Sequence, residues 1–118
     1  MVKNGIVIFI SGRGSNLNAI ISAVNNGMIK YPITAVVSDR YCKGIEISKK
    51  NKLNTLIIDH KDYNSKLTFE KELIKRIKPL NPKLIVLAGF MQILSNLFIK
   101  EFKSKIINIH PSLLPSFK

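Results

Sequence analysis

Asn108 and His110 are the residues whose types and spacing point most directly to chemistry. They lie two positions apart at the end of an isoleucine-rich run, and Pro111 follows at once. Side chains alternate between the two faces of a strand, so both would point the same way. Proline cannot extend a central strand, which makes His110 the carboxyl end of that strand. Open α/β sheets place their ligands at such ends.

An asparagine amide beside an imidazole suits a reaction in which a carbonyl becomes a tetrahedral oxyanion. The amide can donate a hydrogen bond to that oxygen, and the imidazole can move a proton. A structural role, with Asn108 as a cap and His110 packed at a strand end, explains the same pair, because buried polar groups usually serve structure. The two residues alone leave both interpretations open.

The glycine-rich stretch at residues 11–17 (SGRGSNL) is the second candidate site. Glycines let the backbone approach a ligand, and a helix N-terminus presents free N–H groups to an anion. Ser15 and Asn16 add side-chain donors. Leu17 stands where the dinucleotide fingerprint G-x-G-x-x-G requires glycine, and the Lys-Ser/Thr pair of a Walker A loop is missing. We predict a site for the terminal phosphate of a small substrate, with a plain glycine turn as the alternative.

Strand and helix patterns alternate along the chain and must position these residues. Continuous apolar runs predict strands at residues 6–10, 33–37, 55–58, 84–87 and 105–109. Helical spacing predicts helices at 17–24, 44–51, 65–78 and 96–102, the first with Ser15 or Asn16 as its cap and Gly27 as its stop. This alternation predicts an α/β fold with a doubly wound, Rossmann-like, mostly parallel sheet.

Length and composition indicate one domain or part of one. The 118 residues are 46% apolar, which is enough for a hydrophobic core. The lone Cys42 excludes an internal disulfide and suits a reducing compartment. The apolar run at residues 6–10 is too short for a signal or membrane segment. We therefore expect a cytoplasmic protein with no membrane partner.

The net charge of +12 invites a nucleic-acid interpretation, since a basic face supplies most non-specific affinity for phosphate backbones. The lysines are scattered, however, and no aromatic residues interleave with them as a base-stacking surface would require. We interpret the charge as a solvated basic surface that can still steer an anionic substrate, and we expect no nucleic-acid partner.

The glycine-rich stretch, together with residues 108–115 (NIHPSLLP), makes the sequence resemble the phosphoribosylglycinamide formyltransferases. These are folate-dependent enzymes of purine synthesis. Residues 87–95 (LAGFMQILS) resemble the family's segment around the folate pocket. The resemblance extends over essentially the whole chain. It implies one formyltransferase domain over residues 1–118, which moves a formyl group from 10-formyltetrahydrofolate to the amine of phosphoribosylglycinamide without a metal.

The resemblance also implies roles for individual residues. Asn108 would hold the formyl oxygen, and His110 would be the catalytic acid. The phosphoribosylglycinamide, chiefly its phosphate, would be bound by Gly14, Ser15 and Asn16. The residues on the folate side would be Lys66, Met91, Gln92, Ile93, Leu94 and, at the formyl group, Asn108. Lys66 and Gln92 stand where family members often carry arginine.

The family continues beyond this point and supplies a catalytic aspartate that pairs with the histidine. No residue of this chain matches it. We therefore expect a sheet truncated after about its fifth strand, with Ile106, Ile107 and Ile109 on an open edge. One alternative is a non-catalytic fragment, or one that works only with a second polypeptide carrying the carboxyl half. Another is a methionyl-tRNA formyltransferase, which shares the His-x-Ser-Leu-Leu-Pro segment, although the loop at Gly14 favours a small phosphorylated substrate.

Overall fold

The described part of the protein, residues 3–109 of a computed structural model, is built around a five-stranded parallel sheet. His110 and residues 111–118 lie outside it. The strands are β1 (Ile6–Ile10), β2 (Ile33–Ser38), β3 (Thr55–Ile57), β4 (Leu84–Leu87) and β5 (Ile106–Asn108). Their order is β3-β2-β1-β4-β5, and every neighbouring pair is parallel. The predicted doubly wound sheet is confirmed: β1 and β4 have the predicted ends, and the ends of β2, β3 and β5 differ from the prediction by at most one residue.

The helices that connect the strands are α1 (Ser15–Asn25), α2 (Lys43–Lys50), α3 (Lys66–Ile77) and α4 (Asn96–Glu101). Two short 3-10 turns, His60–Asp62 and Lys78–Leu80, flank α3. The hydroxyl of Ser65 accepts a hydrogen bond from the Thr68 amide, and the Thr68 hydroxyl in turn accepts one from the Ser65 amide. This reciprocal cap fixes where α3 begins.

The predicted cap of α1 is wrong. Ser15 and Asn16 are the first two helical residues, and Gly14 precedes them as the N-cap, with φ 82° and no side-chain cap hydrogen bond. A left-handed backbone suits glycine far better than serine or asparagine, so the cap lies one residue earlier than the polar side chains suggest. The predicted stop is confirmed, since Gly27 also has φ 82° and its amide bonds the carbonyl of Val24.

The sheet separates two apolar layers. Val7 and Phe9 face one layer, which contains α3, α4 and the side chains Phe69, Leu73, Ile77, Phe98 and Phe102. Ile6, Ile8 and Ile10 face the other, which contains α1, α2 and the side chains Leu17, Ile20, Ile21 and Ile45. The direction in which strands are added to the sheet reverses once. The chain adds β2 and β3 on one side of β1, then returns and adds β4 and β5 on the other side. Crossovers of one hand then place the two helix pairs on opposite faces.

The reversal makes the gap beyond the carboxyl ends of β1 and β4 the switch point of the sheet, where open α/β folds bind ligands. On the far side of β4, β5 is the outermost described strand, and Ile107 is 46% exposed there. The backbone amide of Ile109 still bonds the carbonyl of Leu87, at 3.0 Å, one residue beyond β5. Among residues 3–109, no helix is long and apolar enough to cross a membrane.

Candidate functional site at the carboxyl edge of the sheet

The loops after β1 and β4 are joined at the switch point. The amide of Met91 donates a 2.8 Å hydrogen bond to the hydroxyl of Ser11, a buried residue at the end of β1. Because this bond links residues 80 positions apart, the two loops hold one another across the gap. The glycine-rich loop and the loop after β4 therefore lie side by side at the switch point.

The glycine-rich loop lies directly on the start of α2. The amide of Gly44 donates to the carbonyl of Gly12 at 3.0 Å. A Cβ added to Gly14 would lie 2.8 Å from the Cα of Gly44 and 3.0 Å from the Cδ1 of Ile47. Gly12, by contrast, has open space where its Cβ would stand. Gly14 is therefore required by the packing of α1 on α2, whereas the packing places no such demand on Gly12.

The first turn of α1 presents donors and one unusual acceptor. Helix N-termini leave their first amides without intrahelical partners, so the amides of Ser15 and Asn16 are available to an anion. Asn16 is only 6% exposed, and its side-chain oxygen Oδ1 has no hydrogen-bond partner among the described residues. A buried unsatisfied acceptor costs about 1–3 kcal/mol, which a ligand N–H or O–H group would recover.

A pocket of about 280 Å³ lies between the loop after β4 and the end of β5. Its walls bring together all four predicted residues of the segment 91–94 and the predicted Asn108, which stand 14 or more positions apart in sequence. The remaining lining residues are apolar: Leu87, Phe90, Ile99 and Ile106. A mostly apolar cavity with a few polar groups in its lining is the usual form of a small-molecule site.

One residue predicted for the folate side is not brought to this pocket. Lys66 is the exposed first residue of α3 and is not among the residues that line the pocket. His110 lies outside the described residues. The roles predicted for Lys66 and His110 stay predictions.

The structure also identifies a residue that sequence reasoning missed. Asp39, the residue after β2, has a side chain with no exposed surface. Its carboxylate accepts hydrogen bonds from Nε and Nη2 of Arg40 at 3.2 and 3.0 Å, and from Nε2 of Gln92 at 2.7 Å. His60 lies alongside, with Nδ1 3.1 Å from the Asp39 backbone oxygen. The signal in the sequence was an acidic residue at the carboxyl end of a predicted strand.

Opposing effects set the pKa of Asp39. Burial is the largest of them and raises the pKa, but hydrogen bonds from Arg40, Ser11 and Gln92, together with the charge of Arg40, lower it further than burial raises it. The net pKa lies below the ordinary value for aspartate, so the group is an ionised carboxylate at neutral pH. An ionised carboxylate can only accept hydrogen bonds.

A second buried carboxylate holds the far end of the pocket loop. Glu70 on α3 is fully buried and accepts hydrogen bonds from the amide and the hydroxyl of Ser95, at 2.8 and 2.6 Å. Ser95 is the N-cap of α4, so Glu70 places a negative charge at the start of that helix. The loop is thus pinned by Ser11 and Asp39 at one end and by Glu70 at the other.

The fold and this edge define a doubly wound α/β domain with a glycine-rich loop at its switch point and an apolar pocket between the ends of β4 and β5. Comparison with known families makes the class specific. The family profile described as Formyl transferase matches residues 4–118, and the chain belongs to that family.

Similar proteins carry more particular names. The chain is 40% identical over 113 residues to the phosphoribosylglycinamide formyltransferase of Escherichia coli (strain K12), covering 95% of this chain and 53% of that protein. It is 40% identical over 117 residues to the trifunctional purine biosynthetic protein adenosine-3 of Gallus gallus, covering 98% of this chain and 12% of that protein.

Similar solved structures carry the same enzyme name as the Escherichia coli relative. The phosphoribosylglycinamide formyltransferase of Coxiella burnetii superposes with a TM-score of 0.87 at 44% identity, covering 96% of this chain and 54% of that one. The enzyme of Brucella melitensis superposes with a TM-score of 0.88 at 40% identity, covering 98% and 60%. The chain therefore spans 53–60% of the length of the Escherichia coli, Coxiella burnetii and Brucella melitensis relatives, which are named for phosphoribosylglycinamide rather than for a tRNA.

Proposed function

We propose that residues 1–118 are a formyltransferase domain that acts in the transfer of a formyl group from 10-formyltetrahydrofolate to the amine of phosphoribosylglycinamide. The observation that carries this proposal is the placement of Asn108 in the same pocket as residues 91–94. Asn108 adds an amide to the lining of an apolar cavity, and we assign the formyl group of a bound ring system to the side of that amide. The names of the relatives supply the formyl group and its acceptor, phosphoribosylglycinamide, and the sequence resemblance supplies 10-formyltetrahydrofolate as the donor.

The size of the pocket fits the donor in part. Sites for small molecules usually measure roughly 300–1,000 Å³, so about 280 Å³ suits one fused ring head rather than an entire folate. Leu87, Phe90 and Ile99 supply apolar walls for such a ring. The phosphate of the second substrate is assigned to the amides of Gly14, Ser15 and Asn16 at the start of α1. The unpartnered Oδ1 of Asn16 then accepts from an N–H or O–H group of that substrate.

The reaction that we assign to this site is acyl transfer. The substrate amine attacks the formyl carbon, and the formyl oxygen becomes an oxyanion to which the Asn108 amide donates a hydrogen bond. The amine then loses a proton, and the departing folate nitrogen gains one, for which we propose His110 as the acid. A cytoplasmic location belongs to the same proposal and is favoured by the single cysteine.

The test measures formyl transfer and substrate binding by the purified chain. Replacing Asn108 with alanine should lower kcat by about 100-fold or more, the usual loss for one oxyanion donor, while calorimetry shows unchanged affinity for phosphoribosylglycinamide. The exposed Asn64 provides the matched control, and Asn64→Ala should leave both quantities unchanged.

Adding the remaining part of the Escherichia coli relative as a second polypeptide distinguishes a chain that is active alone from one that needs a partner. Turnover by the chain alone indicates a self-sufficient site. Turnover only after this addition indicates that a second polypeptide completes the site. Failure of the chain to bind either substrate, with its fold intact, would refute the proposed function.

A further inference from the structure

The carboxylate of Asp39 connects the segments that follow β1, β2 and β4. It accepts hydrogen bonds from its neighbour Arg40 at 3.0 and 3.2 Å, and from Nε2 of Gln92, in the loop after β4, at 2.7 Å. Ser11, directly after β1, is a further hydrogen-bond partner of the same carboxylate. One buried side chain therefore holds together segments that are distant in sequence.

The hydrogen bonds between the loop after β4 and Asp39 have a fixed direction. An ionised carboxylate can only accept, so the hydroxyl of Ser11 donates its proton to Asp39. The oxygen of that hydroxyl then accepts from the amide of Met91 at 2.8 Å. Gln92, the next residue, donates to the carboxylate directly. Both residues line the pocket between β4 and β5, so Asp39 holds part of the pocket wall through two independent links.

Asp39 acts only through the residues that it holds. Its side chain has no exposed surface, and it is not among the residues that line the pocket. The glycine-rich loop is held by other contacts, namely the hydrogen bond from the amide of Gly44 to the carbonyl of Gly12 and the close packing of Gly14 on Gly44. Loss of the Asp39 acceptors should therefore loosen residues 91–92 and leave the first turn of α1 in place.

We propose that Asp39 is a positioning residue that fixes residues 91–92 through Ser11 and Gln92, so that binding of the formyl donor depends on Asp39 and binding of phosphoribosylglycinamide does not. The inference rests on the proposed function, in which the pocket receives 10-formyltetrahydrofolate. In the sheet, β1 lies between β2 and β4, so a residue after β2 controls a pocket wall two strands away.

Two substitutions distinguish the acceptor atoms of Asp39 from its charge. Asp39→Leu removes both acceptors and leaves Ser11 and Gln92 without their partner. Asp39→Asn removes the charge but keeps an acceptor oxygen for Ser11, and the amide of Gln92 can turn its own oxygen toward the new NH₂ group. Asp39→Leu should therefore release the loop, and Asp39→Asn should preserve it. Asp62→Leu makes the same acid-to-leucine change at an exposed position outside the pocket lining and is the control.

Amide hydrogen exchange measures the positioning of the loop without any ligand. In Asp39→Leu, the exchange rate of the Met91 amide should rise at least ~10-fold relative to that of the Ser95 amide, because local opening of the loop becomes easier at its first residues. The Ser95 amide is held independently by Glu70 and serves as the internal reference. Equal acceleration of both amides indicates general destabilisation and overturns the inference, as does unchanged exchange at Met91.

Calorimetry with each substrate separately measures the effect on binding. Asp39→Leu should weaken binding of 10-formyltetrahydrofolate at least ~10-fold, about 1.4 kcal/mol, and leave the affinity for phosphoribosylglycinamide within about twofold of the wild type. Asp39→Asn and Asp62→Leu should bind the donor within about threefold of the wild type. Equal losses for the two substrates, or an equal loss of donor affinity in Asp39→Asn and Asp39→Leu, would overturn the positioning role.

Ser11→Ala keeps the inference testable where Asp39→Leu fails to fold. It removes the link from Met91 to Asp39 but leaves the carboxylate paired with Arg40 and Gln92. Faster exchange at Met91 with weaker donor binding supports the inference, and unchanged donor binding in this variant overturns it. Absence of donor binding by the folded wild-type chain overturns the proposed function instead, while the exchange rate of Met91 still decides whether Asp39 holds the loop.

Discussion

Replacing Gly14 with alanine should destabilise the fold more than any comparable change at the other left-handed glycines. Gly14, Gly27 and Gly89 share a φ of about 80°, and this backbone costs a non-glycine residue roughly 1–2 kcal/mol. Only at Gly14 would the added Cβ also meet backbone, at 2.8 Å from the Cα of Gly44. Overpacking of this kind typically costs a further 1–3 kcal/mol, so Gly14→Ala should lose about 2–5 kcal/mol in total.

Two matched variants separate the cost of the left-handed backbone from the cost of the close contact with Gly44. Gly27→Ala has the same backbone conformation but open space for its Cβ, so it should lose only about 1–2 kcal/mol. Gly12→Ala has open space and no left-handed backbone, so its stability should stay within about 1 kcal/mol of the wild type, on the stabilising side. Urea denaturation followed by circular dichroism measures all three. Equal losses at Gly14 and Gly27 would refute the close approach of α1 to α2.

Two further predictions concern the buried carboxylates. Since the pKa of Asp39 is lowered on folding, its contribution to the free energy of unfolding is present above its ordinary pKa near 3.8 and is lost as pH falls through the lowered folded value. The free energy of unfolding, measured by denaturation between pH 7 and 2, should therefore fall less steeply with pH in Asp39→Asn than in the wild type. An identical pH dependence in the two proteins would contradict the lowered pKa of Asp39. Glu70→Gln should cost about 1.5 kcal/mol because it weakens the charged hydrogen bonds to Ser95, as thermal melts would show. Its control, Glu72→Gln on the same helix, breaks only a partly exposed ion pair and should cost under about 0.5 kcal/mol, so equal losses would contradict the role given to Glu70.

The strands could be predicted because their signal is local. The run Ile6–Ile10 is apolar without interruption, as strands buried on both faces are, and its prediction was right to the residue. The helix start at Gly14 could not be predicted in this way. Ser15 and Asn16 have the side chains that usually cap helices, but the close approach of Gly44 requires the backbone conformation that glycine provides one position earlier.

Individual residues of the candidate site were predicted from the sequence, but the hydrogen bonds that connect its loops were not. Residues 91–94 and Asn108 were identified by resemblance, and the structure places them around one pocket. The bond between Asp39 and Gln92 spans 53 positions and depends on the order in which β2, β1 and β4 lie side by side. Strand order is not written in any local pattern, so the partner of a polar side chain at a strand end emerges only from the assembled sheet.

The hydrogen bonds that hold residues 91–95 to Ser11, Asp39 and Glu70 determine how this loop can open. Residues 91–95 contain no regular secondary structure, and such segments usually exchange their amide hydrogens through small local fluctuations. In this protein the loop cannot lift away without stripping donors from Asp39 and Glu70, two charges that are buried in the fold. Loop opening is therefore coupled to disruption of the sheet and α3. The amides of Met91 and Ser95 should exchange on the slow timescale of the whole fold, so the loop belongs to the same cooperative unit as the core.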